Sequence, residues 1–215
     1  MPHSAWPVDP GVILPFLIAV ALIELTPGPN MGWLAMVSLT RGRMAGAAAV
    51  GGVTLGLAVW MLASAFGLTQ VLLTWPWLYQ TIRWAGVAFL FWLAWDAWKS
   101  PGAGEAVSED GPARDLGQAF VRGLAGNLLN PKAAVFYVAL LPTFIRPDHA
   151  RPLVQALTLG TLHLGVALVV HGLIVLGAAG AGARLLTDAK GPWLRAGSAL
   201  GIVAVALWMA WETRG

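Results

Sequence analysis

The chain has 215 residues, of which 58% are hydrophobic and 11% are charged, with a formal net charge of +3 at pH 7 and a mean hydropathy of +0.71. Soluble domains carry about 25% charged residues, so this composition excludes a soluble globular protein and predicts a polytopic membrane protein. The chain has no cysteine, which excludes disulfides and thiol chemistry. No basic run points to nucleic-acid binding.

Six apolar segments along the chain are predicted to be membrane helices. The amino-terminal residues 1–10 carry no Lys or Arg and are followed by no small-residue cleavage site, so the first segment is expected to stay as a span. The six segments are Gly11–Thr40, Ala45–Leu68, Tyr79–Trp98, Ala119–Ile145, Leu153–Gly180 and Trp193–Trp211.

The first segment contains a predicted break at Thr26–Asn30, with the sequence Thr-Pro-Gly-Pro-Asn. Pro27 and Pro29 lack an N–H and clash with the preceding turn, so one straight helix is excluded. Irregular backbone at membrane depth is tolerated only where it is buried in protein or lines a cavity. The one ionisable residue of the segment, Glu24, lies three residues before Pro27. Transporters build sites from such broken helices, although a kink that serves packing alone is the alternative.

The fourth segment contains the counterpart break, Asn130-Pro131-Lys132. The side chains of Asn127 and Asn130 are expected to satisfy backbone groups that Pro131 frees. Pro142 is a further interruption in this segment. A break in corresponding segments of both halves favours two three-helix repeats, inverted in the membrane because each has an odd number of spans.

The predicted fold is therefore an all-α membrane protein with six transmembrane helices, in which helices one and four are broken. The first repeat covers residues 1–98 and the second 117–215, joined by a Gly-, Pro- and acid-rich linker over 99–116. Eight Lys and Arg residues fall in one set of loops and four in the other, which predicts a cytoplasmic linker and external termini. Glycine pairs spaced by four residues, such as Gly52 and Gly56, are expected to pack helices within the chain.

Glu24 and Lys132 are the charged candidates for a site. A helix that restarts after Pro29 favours an anion at its N-terminus, and Glu24 offers a carboxylate for an ammonium group or a proton, so together they match a zwitterion such as an amino acid. The alternatives are that Glu24 lies near the membrane surface or pairs structurally with Lys132. Lys132 could instead meet a substrate carboxylate or extend to the interface.

His163 and His171 are eight residues apart, on roughly one helix face. The sequence favours core histidines with satisfied hydrogen bonds over a metal site, because nothing nearby in sequence completes one. No catalytic constellation, cofactor site or metal site is therefore predicted.

The motifs resemble the LysE/RhtB translocator family of amino-acid exporters. The resemblance rests on Thr26-Pro-Gly-Pro-Asn-Met31, Arg41-Gly-Arg-Met-Ala-Gly46, Gly52-Val-Thr-Leu-Gly56 and Phe120-Val-Arg-Gly-Leu-Ala-Gly-Asn-Leu-Leu-Asn-Pro-Lys-Ala133. It implies a multi-pass bacterial inner-membrane exporter of amino acids or close derivatives, driven by the proton gradient. It also implies a role in the substrate path for Pro27, Gly28, Pro29, Asn30, Asn130, Pro131 and Lys132. Glu24 departs from the apolar residue expected before Pro-Gly-Pro.

The expected partners are an amino-acid-like substrate and membrane lipid, and a homo-oligomer stays open. A non-transporting assembly subunit is the first alternative function, but it does not require a carboxylate beside a helix break. An intramembrane enzyme is the second, but the sequence lacks His-Glu-x-x-His, Gly-x-Ser-Gly and Gly-x-Gly-Asp motifs.

Overall fold

A computed structural model describes residues 6–26, 28–67, 112–146 and 148–185, together with isolated positions between 75 and 95 and at 200, 203 and 207. These residues form helices and the short connections between them, and they contain no strand. The predicted segments Tyr79–Trp98 and Trp193–Trp211 lie largely outside the described residues. Most of the predicted linker lies outside them as well.

The first predicted break separates two helices. Helix α1 (Pro10–Leu25) ends just before Thr26, and helix α2 (Pro29–Ala65) begins at the second proline of the motif. Asp9 caps the start of α1, where its carboxylate accepts a hydrogen bond from the N–H of Gly11 at 2.9 Å. At 16 residues, α1 is about 24 Å long, so it is shorter than the hydrocarbon core of about 30 Å.

Helix α2 reverses its direction at Gly42, which has a φ of +80°. Residues eight apart in a straight helix are separated by about 12 Å along its axis. Here a Cβ added at Gly46 would collide with the side chain of Ser38, so the arms 29–41 and 43–65 lie side by side. The reversal falls between the predicted segments Gly11–Thr40 and Ala45–Leu68, and the left-handed backbone there favours glycine.

Helix α3 (Pro112–Leu128) begins inside the predicted linker, seven residues before the predicted segment Ala119–Ile145. Pro is well suited to the first turn of a helix, and Asp115 in that turn interacts favourably with the helix dipole. Pro112, one of the prolines on which the prediction of a linker rested, is therefore the first residue of the helix.

The second predicted break separates α3 from α4 (Pro131–Val135). The helical path continues as a π-turn over Phe136–Leu140 and a 3₁₀-turn over Leu141–Phe144, so the chain is irregular at Pro142 as predicted. The two sides of the break are bent by 51°. The long helix α5 (Pro152–Leu185) follows and packs against α1 and α2.

Among the described residues, two helical stretches are long and apolar enough to span a membrane, Asn30–Ala65 and Pro152–Gly180. A third span is counted if the bent pair Asp115–Leu128 and Pro131–Phe144 crosses as one unit. The chain is thus an all-helical protein with two to three candidate spans, judged by helix length and composition. The predicted arrangement of six membrane helices stays a prediction.

Candidate functional site

The two helix breaks meet at one cavity. Its wall includes the last turn of α1, the first turns of α2 and α4, and two positions on α5. The lining residues are Ile23, Glu24, Gly28, Asn30, Met31, Leu57, Asn127, Asn130, Lys132, Ala133, Phe136, His163 and His171. The structure therefore brings together six of the nine predicted site residues.

The remaining three predicted residues are prolines. Pro27 lies outside the described residues. Pro29 and Pro131 are each the first residue of a helix, α2 and α4 respectively, where a missing N–H costs no hydrogen bond. They shape the breaks through the backbone.

At the first break, Gly28 is the N-cap of α2 and has an extended backbone (φ −159°, ψ 172°). No side chain caps this helix, so the N–H groups of its first turn have no side-chain acceptor. Gly28, Asn30 and Met31 all line the cavity. The N-terminus of α2 therefore borders the cavity with a partial positive charge.

At the second break, the side chain of Asn130 caps α4, as expected for an asparagine before proline. Its Oδ1 accepts a hydrogen bond from the backbone N–H of Lys132 at 3.0 Å. The side chain of Asn127 differs, because its Oδ1 is buried and has no hydrogen-bond partner within the described ranges. Its backbone carbonyl makes the contacts instead, accepting from the N–H of Asn130 at 3.0 Å and from the indole N–H of Trp60 at 3.3 Å.

Lys132 joins the two breaks. Its Nζ donates a hydrogen bond to the backbone carbonyl of Thr26 at 2.7 Å. The last carbonyls of a helix lack intrahelical partners and carry a partial negative charge, so the ammonium group stabilises the end of α1. Among the described residues, the ion-pair partners of Glu24 are histidines, so the alternative of a direct pair between Lys132 and Glu24 is not seen there.

Glu24 is bound by two histidines from α5. Its Oε1 lies 3.0 Å from Nε2 of His163, and its Oε2 lies 3.3 Å from Nε2 of His171. The carboxylate is buried within the protein, with only 6% of the residue exposed. A buried charge is tolerated when it is paired and hydrogen-bonded.

His163 extends the cluster away from the cavity. Its Nδ1 lies 2.9 Å from the hydroxyl of Tyr137, and its ring packs on Phe136 with ring centroids 3.9 Å apart. Tyr137 is fully buried in the π-turn. We call Tyr137, His163, Glu24 and His171 the carboxylate cluster.

The histidines are the site residues that sequence reasoning missed. The structure buries both, as predicted, and both contact the single carboxylate of the first segment. The prediction of satisfied hydrogen bonds is wrong for His171, whose Nδ1 has no partner among the described residues. Their partner is 139 residues away from His163 in sequence, so local spacing could not identify it. The available signal was chemical, since two imidazoles in an apolar segment require polar partners, and ionisable residues in membrane helices usually pair with one another.

The cavity lining carries both signs of charge, with the ammonium of Lys132 and the carboxylate of Glu24 among its residues. Within the described part of the chain, no group of three or more His, Asp or Glu residues is placed to hold a metal ion. The free volume is about 20 Å³, which is room for a single water molecule. An amino acid would require this cavity to widen.

Three comparisons with known proteins bear on the site. The family model for the LysE type translocator matches residues 21–213. A homoserine/homoserine lactone efflux protein of Salmonella typhi is 30% identical over 177 residues, which cover 82% of this chain and 83% of the relative. A threonine efflux protein of Escherichia coli strain K12 is 28% identical over 62% of this chain and 68% of its own length. A leucine efflux protein of Klebsiella pneumoniae is 30% identical over 139 residues, which cover 65% of this chain and 66% of the relative. No solved structure matches the chain with significance.

Proposed function

The chain belongs to the LysE type translocator family, and from this membership we propose that it exports an amino acid or a close derivative across the bacterial inner membrane. The relatives are named as efflux proteins for homoserine, threonine and leucine. The observation that carries the proposal is the cavity at the two breaks, whose lining includes an ammonium group and a buried carboxylate. This charge pattern is complementary to a zwitterion.

In this proposal, Lys132 and the N-terminus of α2 receive the substrate carboxylate. The ammonium of Lys132 has three donors, and the contact with the Thr26 carbonyl uses one of them. Gly28 and Asn30 line the substrate path at the first break, and Asn127 and Asn130 line it at the second. Pro27, Pro29 and Pro131 hold the two breaks open.

Glu24 and the imidazoles bound to it receive either the substrate ammonium or the coupling proton, but not both at once. A carboxylate neutralised by a proton no longer attracts an ammonium group. Export driven by the proton gradient follows if one direction of the cycle carries the substrate and the other carries the proton. The burial of Glu24 supports this use, because intramembrane ionisable groups commonly mark proton and substrate pathways.

We also propose that the whole chain forms six membrane helices in two inverted three-helix repeats, with both termini external and the linker cytoplasmic. The broken helices at Thr26–Asn30 and at Asn130 are the features that support a repeat. The reversal at Gly42 supports the division of residues 29–65 into two spans.

LysE-family transporters are not enzymes, and the chain is a multi-pass membrane protein of an efflux family. An assembly subunit without transport activity is the alternative to be tested. It predicts that the purified protein alone moves no amino acid across a vesicle membrane. The opposing charges around the cavity favour transport.

The test uses purified protein in lipid vesicles loaded with labelled homoserine, threonine or leucine, with efflux started by an imposed pH gradient. Glu24→Gln keeps the size of the side chain and removes its charge, so it should abolish gradient-driven efflux, while Glu24→Asp retains part of it. Asp148→Asn makes the same carboxylate-to-amide change at an exposed loop position and should match the wild type. Wild-type efflux with unchanged pH dependence in Glu24→Gln would falsify the role of Glu24. A wild type that moves none of the amino acids would contradict the transport function.

A further inference from the structure

The carboxylate cluster contains one buried nitrogen that the proposed transport cycle has not yet used. Nδ1 of His171 is fully buried and has no hydrogen-bond partner among the described residues. A buried polar atom without a partner costs about 1–3 kcal/mol, so its presence in a cavity wall calls for an explanation. His171 lines the same cavity as Lys132 and Asn127.

The hydrogen-bond pattern fixes which atoms of the cluster are occupied. An ionised carboxylate is an acceptor only, so Nε2 of both histidines carries a hydrogen and donates to Glu24. The Nδ1 of His163 lies 2.9 Å from the hydroxyl of Tyr137, and in the neutral tautomer with hydrogen on Nε2 it is the acceptor of the hydroxyl hydrogen. Both oxygens of Glu24 and both nitrogens of His163 are thereby engaged, which leaves the Nδ1 of His171 with a free lone pair.

We propose that Nδ1 of His171 is the atom that takes up the coupling proton, and that His163 and Tyr137 hold Glu24 in position to stabilise it. The inference rests on the proposed export function and names the proton site within it. The proton adds to the Nδ1 lone pair without breaking any bond, and His171 becomes an imidazolium whose Nε2–H already donates to Oε2 of Glu24. The proton leaves by the same atom.

The surrounding charges explain why the proton and the substrate exclude each other. Without the proton, the single negative charge of Glu24 and the positive charge of Lys132 balance across the cavity. A zwitterion adds no net charge, and its ammonium can approach Glu24. With the proton bound, the imidazolium cancels Glu24, so only the charge of Lys132 remains, and the ammonium has lost its attraction.

The charged and titratable groups facing His171 come from three other parts of the fold. Glu24 faces it from α1 and Lys132 from α4, while Tyr137 acts from the π-turn through His163. The cavity residues of α2 are Gly28, Asn30, Met31 and Leu57, none of which titrates. His171 is therefore the only cavity-lining group among the described residues with a buried, unoccupied proton acceptor on an imidazole.

The experiment compares His171→Gln with His163→Gln in vesicles, using whichever of homoserine, threonine or leucine the wild type exports. A glutamine amide can replace the Nε2–H donor toward Glu24 but cannot take up a proton. His171→Gln should therefore lower the ratio of substrate-driven proton movement, followed with a pH-sensitive dye, to counterflow of labelled against unlabelled amino acid. His163→Gln should slow both fluxes together and keep their ratio.

The inference is overturned if His171→Gln moves as many protons per substrate as the wild type. It is also overturned if His163→Gln lowers that ratio and His171→Gln does not. A second measurement does not depend on the variants folding. Adding the substrate to wild-type protein in weakly buffered detergent should release protons, because the two ligands compete, and the absence of any release overturns the inference. If the wild type exports none of the amino acids, the export function has failed instead.

Discussion

Lys132 is the residue through which the two breaks are held together. Its ammonium replaces the hydrogen bonds that the end of α1 has lost, and it does so from a helix more than 100 residues away in sequence. In the proposed function, a substrate carboxylate accepts from the two ammonium donors that the Thr26 carbonyl leaves. Substrate binding and the contact between the two breaks therefore share one ammonium group.

Replacing Lys132 tests this role at the residue scale. Lys132→Met removes the charge and the donors while keeping an unbranched side chain, and it should raise the half-saturating substrate concentration about 10- to 100-fold, because a hydrogen bond to a charged group contributes about 1.5–3 kcal/mol. Lys132→Arg should retain part of the affinity. Arg151→Met, which removes an exposed cation outside the cavity, serves as the control. Equal half-saturation in Lys132→Met and the wild type would exclude a contact with the substrate.

At the scale of the elements, α2 and α3 are joined by reciprocal glycine contacts. A Cβ added at Gly52 would collide with the backbone carbonyl of Phe120, and a Cβ added at Gly123 would collide with that of Ala49. Small residues let membrane helices approach closely when hydrophobic burial no longer drives association. One turn further along α2, a Cβ at Gly56 would meet the side chain of Asn127 at 2.7 Å, so the same interface positions a cavity residue.

This interface predicts a contrast between two glycine-to-alanine changes. Gly52→Ala should lower the stability by about 1–3 kcal/mol, because the added methyl group pushes two backbones apart. Gly165→Ala lies in α5 with nothing within 4 Å of the new methyl group, so it should be neutral or raise stability by up to about 1 kcal/mol through helix propensity. Thermal unfolding of both purified variants in detergent measures the difference. Equal melting temperatures would mean that α2 and α3 are not in backbone contact.

The sequence predicted those features of the helices that depend on nearby residues, and it did not predict those that depend on how the helices pack together. The breaks and the reversal followed from local chemistry, because Pro, Asn and Gly act on the backbone within one turn, and the packing role of Gly52 and Gly56 followed from their spacing. The partners of Glu24 depended on how α5 lies against α1, which no local pattern encodes. The start of α3 was missed because proline both interrupts helices and begins them.

At the scale of the whole molecule, the predicted loops on the two sides of the membrane differ in positive charge, with eight Lys and Arg residues in one set and four in the other. The eight Lys and Arg residues assigned to one set of loops include Arg41 and Arg43, which flank the reversal at Gly42. The structure therefore puts two of those charges at a turn between two antiparallel arms. If positive loops are cytoplasmic, α1 enters from outside, and the linker lies on the same side as Gly42.

The topology prediction follows from three proposed spans on each side of the linker. A reporter that is active only outside the cytoplasm should be active when fused at Gly215 and silent when inserted at Glu105, and a reporter that is active only inside should give the opposite pattern. The pair is its own control, because an odd number of spans between the two positions must give opposite results in a chain that is expressed and inserted. Matching results at both positions would mean an even number of spans and exclude inverted three-helix repeats. Opposite results with the signs exchanged would keep the repeats and reverse the orientation, which would place the turn at Gly42 outside despite Arg41 and Arg43.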